Sequence, residues 1–231
     1  MPFSTRRADF RRYRELTAEW PDLFASESNG IQILLEDAEI RAARRRIARR
    51  NRAKGLPSAS ASVGVLAEDA YILVLRDAVR FPDGSLGTHN RVIYRQAGGI
   101  GVLAVFQGRI VLIRVYRHPI RQWIWELPRG SVEIGHGHED TVRREIAEEV
   151  GGTVTRMERL GQTRSDTSLC DGQLDLYFAE LSQLGEPQLS EGIGEVATLT
   201  PAEFEDRIRM GEIRDAHAMA AFTMARSRGL I

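Results

Sequence analysis

An α/β fold is expected for this chain: an α/β/α sandwich around a mixed sheet, preceded by a helical N-terminal extension. Three observations carry that expectation. Apolar residues recur at helical spacing through residues 1–55. Short runs rich in Val, Ile, Leu and Tyr, separated by turn formers, fill residues 71–116. An acidic helix and two C-terminal helical stretches then alternate with further strands, which is the pattern of a layered domain.

In the extension, Phe10, Tyr13, Leu16 and Trp20 share one helical face, and Ile31, Leu34, Leu35 and Ala38 repeat the spacing. Residues 41–50, RAARRRIARR, read as a strongly basic helix end. A nucleic-acid patch is one interpretation of it; a solvated surface that pairs with acids of a partner subunit is the other, and no aromatic interleaves the arginines to stack bases. Residues 55–62, GLPSASAS, form a small-residue joint. The expected division is therefore an extension over residues 1–57 and a main domain over residues 58–231.

Within the main domain, residues 71–81 read as a strand, followed by the turn PDGS at 82–85 and a strand at 91–94. Residues 101–106 and 109–116 are strands joined by Gln107 and Gly108 as a tight hairpin. A helix starts near His138 and stops at Gly151, a natural position for a left-handed terminal residue. Residues 156–163 and 174–179 are further strands, and residues 203–210 and 216–226 are closing helices.

Bulk properties narrow the function. The length of 231 residues allows a sizeable core, and 42% apolar with 28% charged residues is ordinary for a globular protein. Lys+Arg and Asp+Glu balance at 32 each, so no global basic field argues for nucleic acid. The distribution is uneven: residues 1–57 hold 13 basic against 8 acidic side chains. Cys170 is the only cysteine, which rules out an intrachain disulfide framework and fits a reducing cytosol. No apolar run is long enough to span a bilayer, and the N-terminal MPFSTRRADFRRYRELT lacks the core of a signal peptide. The expectation is a cytoplasmic protein with neither membrane nor nucleic acid as partner.

The chemistry concentrates in residues 130–152, GSVEIGHGHEDTVRREIAEEVGG. Glu145, Glu148 and Glu149 fall on one helical face, because side chains three and four residues apart are neighbours there. Like charges on one stripe weaken a helix, and a cation against that face removes the repulsion. Oxygen-only ligands suit a hard divalent ion, Mg2+ or Mn2+. Glu145 and Glu149 are the first choice as ligands, with Glu148 flanking them.

This stretch resembles the Nudix box, G-x5-E-x7-R-E-U-x-E-E-x-G-U with U aliphatic. Gly130, Arg144, Glu145, Ile146, Glu148, Glu149 and Gly151 match, while His136 stands at the first glutamate and Gly152 at the last aliphatic position. The flanking RVYRHP at 114–119, WELP at 125–128 and GEIRDA at 211–216 are similar to the branch containing ADP-ribose and nucleotide-sugar pyrophosphatases. The resemblance implies the Nudix fold and a divalent-metal-dependent hydrolase that cuts the diphosphate of ADP-ribose or a related nucleoside diphosphate sugar. It implies a nucleoside monophosphate and a sugar phosphate as products, and a homodimer as assembly. It implies the backbone carbonyl of Arg129 as a further metal ligand. Arg144 would hold the loop by pairing with a box glutamate, or else touch phosphate. Glu191 is the candidate general base and Glu195 the second choice, both in a loop after the last long strand. Arg117 and Tyr116, at a strand end, are placed to meet a terminal phosphate or an adenine face. His136 and the absence of a proline from Ser131 to Glu186, usual in ADP-ribose pyrophosphatases, leave two alternatives open. One is another nucleotide sugar as substrate; the other is a catalytically impaired domain that binds or senses a nucleotide.

Overall fold

The computed structural model describes residues 8–96, 98–133 and 135–231. Residues 1–7, part of the N-terminal stretch expected to lack a signal peptide, lie outside the described residues. The chain forms two compact units. One takes the N-terminal part as far as Arg95 together with Ser168–Asp171, and the other takes Gln96–Thr167 and Gly172–Ile231.

In the first unit, helix α1 (Phe10–Glu19) starts at Asp9, whose side chain accepts the Arg12 N–H at 3.0 Å. It buries Tyr13 and Leu16. A short strand β1 (Gln32–Ile33) precedes helix α2 (Asp37–Ala53), which buries Ile40, Ala43 and Ile47 at three- and four-residue spacing. Strands β2 (Gly64–Glu68), β3 (Ile72–Arg80) and β4 (Leu86–Tyr94) follow, all paired antiparallel. β4 covers one edge of β3 along its length, while β2 and β1 share the other.

That sharing corrects the expectation for residues 31–36, while Asp37 and Ala38 do open α2. Residues 31–36 are not helical: β2 leaves Val79 and Arg80 of β3 without partners, and Gln32 and Ile33 pair there instead. The small-residue joint at 55–62 lies inside this unit. It forms a short helical turn, Ser58–Ala61, tied to α2 by Asn51 Nδ2 donating to Ser60 Oγ at 3.0 Å. The unit runs on past residue 57 because the apolar faces of α1 and α2 close over Val65, Leu73 and Leu75 of the strands.

One buried charge organises this core. Asp77 is 1% exposed and accepts from the Tyr13 hydroxyl at 2.6 Å and from Arg91 Nε at 2.6 Å. Arg91 Nη1 also donates to the Leu23 carbonyl at 2.8 Å, and Phe24 lies under its guanidinium. Burial, and then the Asp77 charge, push the Tyr13 hydroxyl well above the usual phenol range, so it remains a donor.

The second unit is built on β5 (Gly99–Phe106) and β6 (Arg109–Arg117), joined through Gln107 and Gly108 at φ 50° and 75°. Two left-handed residues are what a two-residue hairpin turn of type I′ requires. β5 and β6 pair only at Val105↔Ile110 and Phe106↔Arg109, then separate. Strands β7 (Gln122–Glu126) and β8 (Arg129–Ser131) fill the wedge, β7 on β6 and β8 on β5. Between them the Pro128 carbonyl accepts the Val102 N–H at 2.9 Å.

Helix α3 (His138–Val150), strands β9 (Thr153–Arg164), β10 (Gln173–Gln183) and β11 (Ile193–Leu199), and helices α4 (Pro201–Arg209) and α5 (Ala216–Ser227) complete the unit. The strand order is β11-β6-β5-β10-β9; β5 and β10 are parallel and the other pairs antiparallel, so the sheet is mixed. Alternation along β5 and β10 splits the core. Leu103, Val105, Leu176 and Phe178 pack with Phe204 and Phe222 of α4 and α5. Val102, Ala104, Tyr177 and Ala179 pack with Val142, Ile146 and Val150 of α3. Helices on both faces of one mixed sheet make the α/β/α sandwich. No helix among the described residues is long and apolar enough to cross a membrane.

Removing the Tyr13 hydroxyl takes one donor from a buried carboxylate. Tyr13→Phe is expected to destabilise the first unit by about 1.5–3 kcal/mol, the scale of a hydrogen bond to a charged group. Denaturant titration of the purified variant against the parent checks it.

Candidate active site

α3 begins without a side-chain cap, and Glu139 and Asp140 in its first turn complement the helix dipole. It ends where Gly151 turns left-handed at φ 56° and the Gly152 N–H returns to the Ile146 carbonyl at 3.0 Å. A Cβ on Gly152 would lie 2.8 Å from Ile146 Cγ2 and 3.1 Å from Leu181 Cδ1. The space that an aliphatic side chain would need here is already filled by those two residues.

The apolar stripe Val142, Ile146 and Val150 holds α3 on the sheet, and Glu145 and Glu149 lie beside it at 5% and 7% exposure. Both carboxylates sit against the start of β8. Glu149 Oε2 accepts the Arg129 N–H at 2.8 Å. Glu145 lies so close to the Cα of Gly130 that a Cβ there would fall 1.8 Å from its Oε1. Only glycine leaves room for that carboxylate.

Withdrawal from water raises the pKa of both acids. For Glu149 burial dominates, the Arg129 N–H opposes it, and the charges of Glu145 and Glu191 add, bringing it to about 8. For Glu145 burial again leads, Arg144 opposes it, and Glu148 and Glu191 add. Arg144 binds three parts of this region. Its guanidinium meets Glu145 Oε1 and Glu148 Oε2 at 2.8 Å each and donates to the Ser131 carbonyl at 3.4 Å. Glu133 stands 4.0 Å away in the loop.

Glu191 reaches this group through the backbone after β10. The Gly185 N–H donates to the Val150 carbonyl and the Gln188 N–H to the Glu148 carbonyl, at 2.9 and 2.8 Å. The Glu191 N–H then returns to Gln188 at 3.1 Å. Glu195 lies elsewhere: it is a residue of β11, not of a loop, and its carboxylate faces Arg114 at 3.5 Å.

Arg117 and Tyr116 part company. Strand alternation puts Tyr116 with Trp123 and Arg114 on one face of the sheet and Arg117 with Glu126 on the other. Tyr116 is exposed, edge-on to Trp123, with the Arg121 guanidinium over its ring. Arg117 Nε donates to both oxygens of Glu126, at 3.0 and 2.9 Å, which raises its pKa against the opposing effect of burial. His136 is exposed and lies 4.0 Å from Glu133, and His138 lies 3.9 Å from Asp175. Neither imidazole is drawn into the acidic group.

Sequence reasoning assigned no role to Glu126, Asp215, His217 or Glu133. Glu126, 2% exposed, is shared by Arg117 and Arg129, and Arg129 also approaches Asp215 at 3.8 Å. Asp215 caps α5 by accepting the Ala218 N–H at 2.8 Å. His217 Nδ1 meets Thr163 Oγ1 at 2.7 Å, and burial lowers its pKa while Asp215 opposes that. Glu126 and Asp215 lie in the flanks WELP and GEIRDA, so their presence was visible while their pairing across the fold was not.

As the side chains stand, no three His, Cys, Asp or Glu residues among those described are grouped as a ligand cage. The reason is local: Arg144 holds Glu145 and Glu148, and the Arg129 N–H holds Glu149. The donor chemistry nevertheless fits a hard divalent ion. Two buried carboxylates with raised pKa values, beside a third and a glycine with no side chain, gain from a cation that removes their mutual repulsion.

Comparison with known proteins bears on this geometry. The model of the NUDIX domain matches residues 95–222. An ADP-ribose pyrophosphatase of Bacillus subtilis (strain 168) is 26% identical over 150 residues, 64% of this chain and 78% of that protein. An ADP-ribose pyrophosphatase of Mycobacterium tuberculosis (strain ATCC 25618 / H37Rv) is 30% identical over 159 residues, 65% of this chain and 74% of that protein. A methanol dehydrogenase activator of Bacillus methanolicus is 33% identical over 105 residues, 45% of this chain and 56% of that protein. The crystal structure of an ADP compounds hydrolase superposes with a TM-score of 0.62 at 18% identity, covering 73% of this chain and 93% of that one. At that identity the likeness is one of fold.

Gly130→Ala tests the close approach of Glu145 to the loop. The added methyl displaces the carboxylate, so hydrolysis of a phosphoanhydride substrate is expected to fall by about 10²-fold, as for an ångström-scale misplacement. The melting temperature and turnover of the variant, measured together, check that the loss is in the site and not in the fold.

Proposed function

The chain belongs to the NUDIX family and is a pyrophosphohydrolase, and on that premise we propose that it hydrolyses the diphosphate of ADP-ribose or a related nucleoside diphosphate sugar. The observation that carries the reading is the pair Glu145 and Glu149, buried against the backbone of Arg129 and Gly130 with the charge of Glu191 close by. ADP-ribose as the substrate class rests on the two pyrophosphatase relatives, which share 26% and 30% identity with the chain.

Cutting a phosphoanhydride requires neutralised phosphate oxygens and a water held in line with the leaving group. In this reading Glu145, Glu148, Glu149 and the Arg129 carbonyl hold Mg2+ or Mn2+. When bound, the ion supplies Lewis acidity toward the diphosphate oxygens. The chain's own residues do the rest. Glu191 takes a proton from the attacking water, with Glu195, on its separate strand, a weaker choice for that role. Arg144 releases the carboxylates it now holds and keeps the loop through Ser131 and Glu133. Arg117 and Arg129, oriented by Glu126, offer their remaining N–H groups to a phosphate. Tyr116, on the other face of the sheet, is left without a part in the chemistry. The reading includes a cytoplasmic setting, supported by the lone Cys170, and a homodimer, supported by the resemblance alone.

Incubation with Mg2+ and a panel of nucleoside diphosphate sugars is expected to release a nucleoside monophosphate and a sugar phosphate, with ADP-ribose among the substrates cut. Glu145→Gln and Glu149→Gln are each expected to lower turnover by about 10²-fold or more, the scale of losing a group that stabilises charge in the transition state. Failure to cleave any member of the panel, followed by chromatography, overturns the proposal.

The pH dependence has a definite sign. Between its ordinary value and about 8, Glu149 binds more proton in the folded than in the unfolded chain. In the absence of metal, its contribution to stability therefore falls as pH rises through that window. A divalent ion binds only the carboxylate form, so its apparent affinity is expected to climb across the same window and level off above about 8. Calorimetric titration with Mn2+ at several pH values reads this directly, and a flat profile contradicts it.

A further inference from the structure

The basic stretch of α2 has no part in the proposed hydrolysis. Arg41, Arg44 and Arg45, with Ala48, line one wall of a cavity of about 300 Å³, and Ser58, Ala59, Ala61 and Ser62 line the opposite wall. Among the described residues, no carboxylate comes within ion-pair distance of these three arginines. The acids nearest them in α2 are engaged elsewhere: Asp37 with Arg14 at 3.2 Å, and Glu39 with Arg80. Positions 41, 44 and 45 are three and four residues apart, so the guanidinium groups repel one another on one helix face.

A further cation stands behind the second wall. Arg76 donates to the Ser62 carbonyl at 3.4 Å and to Asn90 Oδ1 at 2.9 Å, and among the described residues it too has no carboxylate partner. Burial lowers its pKa, with no acid to offset the effect. The concave space is thus lined or backed by four uncompensated guanidinium groups, with the Ser58 side chain at its wall.

We propose that this cavity binds a small phosphate monoester, with Arg41, Arg44 and Arg45 gripping its phosphoryl group. Guanidinium forks match phosphate oxygens in pairs, which a solvated arginine face does not need. The volume is at the lower end for ligand pockets and exceeds what a bare phosphate fills, so it admits a phosphorylated sugar. No aromatic side chain lines it, so a stacked nucleobase is not what it recognises. The residues that line it all belong to the first unit, and the proposal does not depend on the proposed hydrolysis.

Titration calorimetry with ribose 5-phosphate at about 0.15 M salt tests the assignment, with unphosphorylated ribose and a single-stranded oligonucleotide as further arms. The parent protein is expected to bind ribose 5-phosphate and not ribose. The double variant Arg44→Gln/Arg45→Gln is expected to weaken that binding at least tenfold while leaving hydrolysis in the absence of ligand unchanged. Ala48→Glu sets a carboxylate three and four residues from Arg45 and Arg44; it is expected to abolish binding and raise the melting temperature, which separates loss of the site from loss of the fold. The proposal is overturned if the parent does not bind ribose 5-phosphate, if both variants bind it as the parent does, or if only the oligonucleotide binds.

Discussion

Burying Glu145 and Glu149 is the constraint on which the candidate site depends, because carboxylates withdrawn from water have raised pKa values, to which neighbouring acids add, and need nearby dipoles to remain there at all. The chain supplies those dipoles from backbone more than from side chains. The Arg129 N–H meets one acid, and the bare Cα of Gly130 lets the other approach. Arg144 spans Glu145, Glu148 and the loop. A cation entering here would compete with Arg144 for the same oxygens, so the arrangement is held ready without being locked.

That backbone is available because β5 and β6 diverge after a two-residue turn. A sheet that stayed closed would use the inner edges of both strands for ladder hydrogen bonds. The divergence leaves a wedge into which β7, Pro128 and β8 insert, and this insertion aims the Arg129 N–H at α3. The same segment carries Glu126 into contact with Arg117 and Arg129, so the cationic side of the site and its acidic side are ordered by one piece of chain. The buried Asp77 of the first unit shows the same economy: one carboxylate orients a tyrosine and an arginine from separate elements.

Charge is distributed differently in the two places where it accumulates. On α3, acids crowd together and are partly answered by Arg144. On α2, arginines crowd together around a cavity and are answered by nothing among the described residues. The first pattern suits cations and the phosphates they carry, and the second suits an anion directly.

The face of α3, its C-terminal glycine, the β5–β6 turn and most strand positions were legible from spacing, because helix and strand periodicity and turn chemistry are local properties. The family followed from the Arg-Glu-x-x-Glu-Glu core and its flanks for the same reason. Local pattern misread residues 31–36, where the free edge of β3 outweighed helical spacing, and it put Glu195 in a loop that the sheet extends into β11. It could not pair Glu126 with Arg117, nor say which of the neighbours Tyr116 and Arg117 lies on the α3 side, since both depend on strand register and on which face of the sheet meets α3. The sequence by itself determined which acids share a helix and what kind of ion they favour. Only the tertiary structure decided that two of those acids are buried against a glycine, because burial belongs to the wedge between two diverging strands and not to any short stretch of residues.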